Sequence, residues 1–261
     1  MALLLPIVAA LVPIVILPGW SLSFDVIPKV VVAFIGAALA LVLVRHAPAQ
    51  PARSLRFFYI LAGTQAVTIV AATVFSTHRS LSIFGSAWRR SGLPAELAVL
   101  ILGVMTALHL AANRKHFRVL LRVTVAAALP VAIYGIVQYF GIDPFLTPAG
   151  YHFGEGRFTI VRPPSTLGHA AYFATYLLFV VFAGAALALS ETSRAWKAAG
   201  VGISGLASFA IVLSGTRAAV VGLLAGALLI AVRRLDWRWV AGAGVLVERG
   251  PAGRVAPVAV A

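Results

Sequence analysis

Cysteine is absent from the 261 residues. Disulfides, thiolate metal sites and cysteine nucleophiles are therefore excluded. Charge is scarce as well, at 11% of residues, where an ordinary soluble domain carries about 25%. Acidic residues are the scarcest, seven in all against 21 lysines and arginines. No glycine-rich phosphate loop, serine elbow or kinase signature is present. No stretch reads as a soluble domain, and no internal repeat of roughly 20 to 50 residues is visible.

What fills the chain instead is apolar. Hydrophobic residues make up 61% of it. They fall into eight segments: Ala2–Leu17, Val30–Val44, Phe57–Ser76, Leu97–Ala112, Val119–Phe140, Ala170–Leu189, Ala198–Leu213 and Ala218–Val232. The expectation is an all-α, polytopic transmembrane bundle of about eight helices. Several segments are short for a hydrocarbon core of about 30 Å, which calls for snorkelling ends or local thinning. Pro6, Pro13 and Pro130 fall inside spans, where neighbouring helices can satisfy the freed carbonyls. Met1 to Leu17 lacks a basic start and a small-residue cleavage site, so it reads as an uncleaved first helix. The membrane domain is expected over residues 1–238. Residues 239–261 form an atypical tail rich in Ala, Gly, Val and Pro, read as an incomplete ninth helix.

The formal charge of +14 does not point to nucleic acid. The basic residues sit in short clusters between apolar runs, as the positive-inside rule and contact with anionic lipid require. With the N-terminus in the cytoplasm, twelve lysines and arginines fall in inner segments and seven in outer ones. That count favours an N-inside orientation. Topology accounts for the inner arginines. The outer ones run against the bias, which makes them the better functional candidates. The outer carboxylates, Asp25, Glu96, Asp143 and Glu155, show no metal-ligand spacing.

Three outer stretches stand out. The longest loop, Gly141 to His169, joins the fifth and sixth segments and carries Arg157 and Arg162. Pro163 and Pro164 stiffen the chain directly after Arg162. Ser165, Thr166 and Gly168 are start signals for the next helix. A helix N-terminus beside an arginine suits an anion, because free N–H groups and the positive dipole end face the same place. The plainer reading is a loop whose arginines meet lipid phosphates. The second stretch, Ser214-Gly-Thr-Arg217, is a turn of almost no length. Only fifteen uncharged residues separate Arg217 from Arg233, roughly 22 Å of helix. With Arg233 and Arg234 at the inner surface, Arg217 is expected at or just below the outer one, where it snorkels or finds an anion. The third stretch, Ser82 to Leu93, mixes Trp88, Arg89 and Arg90 with Gly85 and Gly92. It suits an interfacial segment or a plain interfacial loop equally well.

Other polar residues invite structural readings. Gln65 and Gln138 fit interhelical hydrogen bonds, and Gly222 and Gly226 fit small-residue packing. His109 fits a satisfied interhelical histidine. Arg118 and Arg122 share a helical face near the cytoplasm and are expected to snorkel.

The outer motifs together resemble the bacterial O-antigen ligase and polymerase superfamily of membrane glycosyltransferases. The resemblance is carried by Ile83-Phe-Gly-Ser-Ala-Trp-Arg89-Arg-Ser-Gly92-Leu, Tyr134-Gly-Ile-Val-Gln-Tyr-Phe-Gly-Ile-Asp-Pro144, Ser165-Thr-Leu-Gly-His169-Ala-Ala-Tyr-Phe-Ala-Thr-Tyr-Leu177 and Leu213-Ser-Gly-Thr-Arg217-Ala-Ala-Val-Val-Gly222. It implies a membrane core of the GT-C type, in a bacterial inner membrane. It implies transfer of a glycan from an undecaprenyl diphosphate carrier to lipid A core, a glycan or a protein hydroxyl at the periplasmic face. Neither a cofactor nor a metal is implied. Arg217 matches a diphosphate-binding arginine of the family, and Arg162 occupies the expected place before the sixth helix. Arg89, Arg157 and His169 complete the substrate-binding set. The chain departs from the family in two places. His169-Ala170-Ala171 stands where Asn-Pro-Asn or His-Pro-Asn is common. The further helices and the histidine-bearing loop that follow the eighth helix in the family have no counterpart here. No catalytic residue is assigned on this basis, although His152 and His169 lie near the arginines. The resemblance thus also implies a short member, inactive alone. The alternative class is a transporter or flippase of lipid-linked or anionic substrates, which should carry charged or broken-helix sites near the bilayer midplane.

Overall fold

The structure, a computed structural model, describes residues 3–19, 24–44, 56–86, 90–112, 114–146, 151–155 and 158–234. Among the described residues, its regular structure is helical apart from one hairpin. The helices are α1 (Leu4–Ile14), α2 (Val26–Leu43), α3 (Arg56–Val74), α4 (Arg79–Phe84), α5 (Leu93–Ala112), α6 (Arg114–Tyr139), α7 (Ala170–Ser190), α8 (Arg194–Leu213) and α9 (Arg217–Arg234). Six of them, α2, α3, α5, α6, α7 and α8, are long and apolar enough to cross a membrane. Leu4–Ile14 and Arg217–Val232 are shorter apolar helices. The chain reads as a multi-pass membrane protein on these grounds.

Two elements interrupt the pattern expected from the sequence. The Ser82–Leu93 stretch begins inside a short helix, α4. In the Gly141–His169 loop, strands β1 (His152–Glu155) and β2 (Phe158–Val161) pair antiparallel, with His152 opposite Val161 and Glu155 opposite Phe158. A four-residue strand is too brief to show an alternating pattern against an apolar background, so the hairpin was not visible in the sequence.

The chain divides into two compact units, Met1–Ala219 and Val220–Ala261. In the second, the described residues continue helix α9 as far as Arg234. The core of the first is built on α6, α7 and α8. Val125, Ala128, Val131 and Ala132 of α6 are fully buried, as are Phe173, Ala174 and Leu177 of α7 and Ala207 and Ile211 of α8. These positions recur at three- and four-residue steps, the period of one helix face. Large apolar residues on other faces are open, among them Phe179 and Val201. Large apolar residues thus point both inward and outward, the arrangement of helices solvated by lipid, whose tails give no hydrophobic reason to hide a leucine.

Glycine sets the closest approach. A Cβ on Gly184 would lie 2.3 Å from Ser204 Oγ and 2.8 Å from the Gly200 carbonyl oxygen. One on Gly200 would lie 2.6 Å from the Gly184 carbonyl oxygen. Helices α7 and α8 therefore touch backbone to backbone at this pair. Gly135 does the same for α6, where a Cβ would meet the Phe173 ring.

The short connections alternate between two ends of the first unit. One end gathers the loops after α1, α3, α6 and α8, and is called here the loop end. The opposite end holds the junctions α5–α6 and α7–α8. There Glu191, whose side chain is fully buried, takes both Nε of Arg122 at 2.8 Å and a terminal guanidinium nitrogen at 2.7 Å. Arg118 approaches the same carboxylate at 3.9 Å. The Arg122 guanidinium also lies 5.0 Å from the Trp196 ring. The expected snorkelling of Arg122 is thus replaced by a paired ion, because Glu191 ends α7 directly beneath it. His109 of α5 stacks on His116 of α6 at 3.8 Å between ring centres, and its Nε2 is buried without a partner. That histidine is therefore interhelical but not fully satisfied.

Candidate functional site

The loop end is organised around Asp143. Its Oδ1 accepts the Tyr134 hydroxyl at 2.8 Å and the backbone N–H groups of Phe145 and Leu146 at 2.9 Å each. Its Oδ2 accepts the Gln138 amide at 2.8 Å and the Tyr151 hydroxyl at 3.0 Å. Burial pushes this carboxyl up. The two backbone donors, Tyr134 and Gln138 outweigh that and hold it below its ordinary range. Burial, followed by its hydrogen bond to Asp143, pushes the Tyr151 phenol up. Every lone pair of Asp143 is engaged, so this carboxylate is not free to neutralise an arginine.

Gln138 carries the order onward. It is fully buried, and its Oε1 accepts the Ser165 N–H at 2.7 Å. Ser165 donates in turn to the Val131 carbonyl at 2.7 Å. Thr166 donates to the Pro13 carbonyl at 2.6 Å, one of the carbonyls left unpaired at the end of α1. Lys29 of α2 donates to the Thr166 carbonyl and, at 3.0 Å, to that of Asp25. The Asp25 carboxylate lies against Gly168, where a Cβ would sit 2.0 Å from Oδ2. Segments from α1, α2 and α6 thus hold residues 163–168 from three sides.

This segment does not cap the next helix in the expected way. Ser165–Leu167 is a single 3-10 turn, and α7 starts at Ala170. His169 is the cap: its Nδ1 accepts the Ala171 N–H at 3.1 Å. The serine and threonine are spent on the neighbouring helices. Ser165 takes a left-handed conformation, φ +52°, which a non-glycine residue adopts only where its surroundings hold it.

Arg162 leads into this held segment. Its backbone N–H donates to Tyr151 at 3.0 Å, directly beyond the hairpin register. Its Nε is buried and has no hydrogen-bond partner. Beside it, His152 Nε2 is also buried without a partner. At the end of α8, Ser214 is fully buried and accepts the Thr216 N–H at 3.2 Å. Thr216 reaches the Ala170 carbonyl at 3.4 Å, which sets the α8–α9 turn against the start of α7. Arg217 follows immediately. It is exposed and makes no hydrogen bond or ion pair among the described residues.

The structure therefore brings His169 and Arg217 to the two sides of one junction, the Thr216–Ala170 contact. Arg162 stands at the head of the same buried segment. Arg89 and Arg157 lie outside the described residues. Sequence reading missed Tyr151, Gln138 and Asp143 as the scaffold of this end, although Gln138 and Asp143 were both in view. A signal was available in Tyr134, Gln138 and Asp143, whose spacings of four and five put them on adjoining turns as α6 runs out. Among the described residues, no three His, Cys, Asp or Glu side chains gather as a metal-holding group.

Chemically, the end offers the guanidinium groups of Arg162 and Arg217, neither with an ion-pair partner among the described residues. Such groups fit an oxyanion, and phosphate best, since two N–H donors match two oxygens. Comparison of the chain with protein-family models, with curated proteins and with solved structures gives no match.

Proposed function

We propose that the chain is an O-antigen ligase-like membrane glycosyltransferase, moving a glycan from an undecaprenyl diphosphate carrier to a lipid, glycan or protein acceptor at the periplasmic face. In this reading the bundle has eight spans with a GT-C type core. The N-terminus lies in the cytoplasm, and the loop end faces outward. One observation carries the proposal: the Arg162 Nε is buried with no hydrogen-bond partner. A buried donor left unpaired costs about 1–3 kcal/mol, which an arriving phosphate oxygen would recover. Arg217, exposed beside the start of α7, supplies a second guanidinium. Together they would neutralise charge on a departing diphosphate, the place where charge develops in the transition state. His169 and His152 lie within the same end, and Arg89 and Arg157 belong to the proposed substrate-binding set.

The test is binding of an undecaprenyl diphosphate-linked glycan to the purified chain in nanodiscs. Arg162→Ala and Arg217→Ala should each weaken it by about tenfold or more, the loss expected for a hydrogen bond to a charged group. Membrane insertion should be unaffected. Wild-type affinity in both variants would end the diphosphate reading.

A further inference from the structure

A second feature of the first unit is unrelated to the arginines. Helix α3 is the least buried of the six helices that can cross a membrane. It packs against α5 and α4, and of its 19 residues only Ile69 and Thr73 are buried. Phe58, Leu61, Gln65, Thr68 and Ala72 are all exposed. They follow one another at steps of three, four, three and four. That is the heptad spacing of a coiled-coil seam, a line along which a second helix can lie.

Gln65 stands at the middle of this seam. It lies nine residues before the end of α3 and nine after its start, roughly 13 Å of helix in each direction. In a bilayer that is the depth of the hydrocarbon centre, where the surroundings of an exposed side chain are lipid tails. The neighbouring threonines are satisfied within the helix: Thr64 donates to the Ile60 carbonyl and Thr68 to that of Thr64, each at 2.9 Å. The Gln65 amide makes no hydrogen bond among the described residues. Gln138 is the contrast. It is buried, and both ends of its amide are bonded within the chain. A carboxamide left unpaired in lipid is costly, and in membranes such side chains hydrogen-bond across helices. Among the described residues no other helix offers Gln65 that bond, so its partner comes from another molecule.

The partner this face fits is a second copy of the chain. Copies of one chain insert with one orientation, so a two-fold pair has its axis along the membrane normal and its two α3 helices run parallel. Residues at the centre of a parallel seam meet their own counterparts. A carboxamide carries both donor and acceptor, so two Gln65 side chains satisfy each other across the axis. A residue that only donates or only accepts could not pair with itself in this way. On the loop-end side of Gln65, Thr68 and Ala72 are small and let the two backbones approach. On the other side, Leu61 and Phe58 supply contact area.

We infer that α3 is a self-association surface, on which two copies of the chain pair in parallel along the seam over residues 58–72, with Gln65 bonded to Gln65 at mid-membrane. The glutamine also sets the register, because a slide of one turn leaves both amides unpaired. The inference goes beyond the diphosphate reading and shares no residue with it.

The absence of cysteine makes the test direct. Leu61→Cys and Ala72→Cys each place a single thiol on the seam of the full chain. Val67→Cys and Val70→Cys place one on the far side of the helix, where both residues are also exposed. Mild oxidation in the membranes of the expressing cell should link the two seam variants into disulfide dimers several-fold faster than the other two. In reconstituted vesicles, resonance energy transfer between donor- and acceptor-labelled copies, followed as protein is diluted with lipid, gives the dimer dissociation constant. Gln65→Leu should raise it about three- to thirtyfold, the range for a hydrogen bond between membrane helices, and Gln65→Asn should raise it less. Monodisperse elution of each variant shows that it has folded. A monomer at every protein-to-lipid ratio, linking as fast on the far side as on the seam, or a dissociation constant that Gln65→Leu leaves unchanged overturns the inference. A seam thiol that links only to a different protein overturns it in favour of another partner on this face.

Discussion

Gln138 holds Asp143 and Ser165 at once: its amide nitrogen donates to Asp143 Oδ2 at 2.8 Å while its oxygen takes the Ser165 N–H at 2.7 Å. A glutamine at the end of one helix thereby fixes both the loop that follows and the segment that begins the next span. Replacing it should be felt at both places. Gln138→Leu keeps the volume but leaves the buried Ser165 N–H unpaired, at a cost of about 1–3 kcal/mol. The expected result is a lower unfolding midpoint in detergent, together with faster proteolysis within residues 140–169. A variant that lost stability without loosening that loop would show that the link has been misassigned.

Ser165 offers a test of strain. Its φ of +52° disfavours any residue with a Cβ, and its hydroxyl donates to the Val131 carbonyl. Ser165→Ala loses the hydrogen bond and keeps the strain. Ser165→Gly loses the bond and releases the strain. The glycine variant should therefore be the more stable of the two, by up to about 1 kcal/mol. The reverse order in a thermal unfolding series would mean that the backbone is not held as described.

The α7–α8 contact gives a matched pair of substitutions. Gly184→Ala puts a methyl where Ser204 Oγ and the Gly200 carbonyl already are. Overpacking of this kind costs typically 1–3 kcal/mol, here about the same. Gly202→Ala, on the same helix pair, meets nothing within 4 Å, so it should be neutral or gain up to about 1 kcal/mol of helix propensity. Equal effects from the two would argue against close contact at Gly184.

These particulars also show what the sequence could and could not disclose. The apolar segments were legible because lipid solvates whole runs of residues, and six of the eight expected segments are long enough helices to span. Partnering was not. The pattern that marked Gly222 and Gly226 as a packing motif is indistinguishable in a glycine-rich chain from the spacing that matters at Gly184 and Gly200. Arg122 looked free because Glu191 is 69 residues away in sequence. Gln65 was noticed alone. Its side chain is exposed and finds no partner among the described residues, so the interhelical hydrogen bond expected of it is not formed within the chain. At the candidate site, Arg162 and Arg217 stood out as outward charges, yet the absence of a carboxylate for Arg162 is a property of three dimensions.

Acid should expose the Glu191 ion pair. The hydrogen bonds from Arg122 hold this carboxyl below its ordinary value of 4.5, against the opposing effect of burial, with Arg118 adding to the same direction. A folded-state value below the unfolded one contributes stability that is present above about pH 4.5 and is lost as pH falls through the lowered value. Glu191→Gln removes that dependence. The variant should be less stable near neutral pH, and its stability should fall less steeply than wild type between about pH 4.5 and the acid limit of the measurement. Parallel pH profiles for the two proteins would exclude Glu191 as the group responsible.

The two guanidinium groups at the loop end make the most discriminating prediction. If Arg162 and Arg217 grip the same diphosphate, their contributions are not independent, because removing one lets the headgroup shift away from the other. Binding of the undecaprenyl diphosphate glycan by wild type, Arg162→Ala, Arg217→Ala and the double variant then closes a cycle. Groups that share a ligand typically couple by 0.5–3 kcal/mol, whereas distant independent ones add to within about 0.5. A coupling near 1 kcal/mol or more is the expected outcome. Arg217→Lys should fall between wild type and Arg217→Ala, since an ammonium keeps the charge but not the planar pair of donors. Raising the salt concentration should weaken the exposed Arg217 contribution more than that of Arg162, whose Nε is shielded from water. Strict additivity of the two alanine substitutions would mean that the arginines serve separate anions, and the arrangement proposed for a single diphosphate would have to be given up.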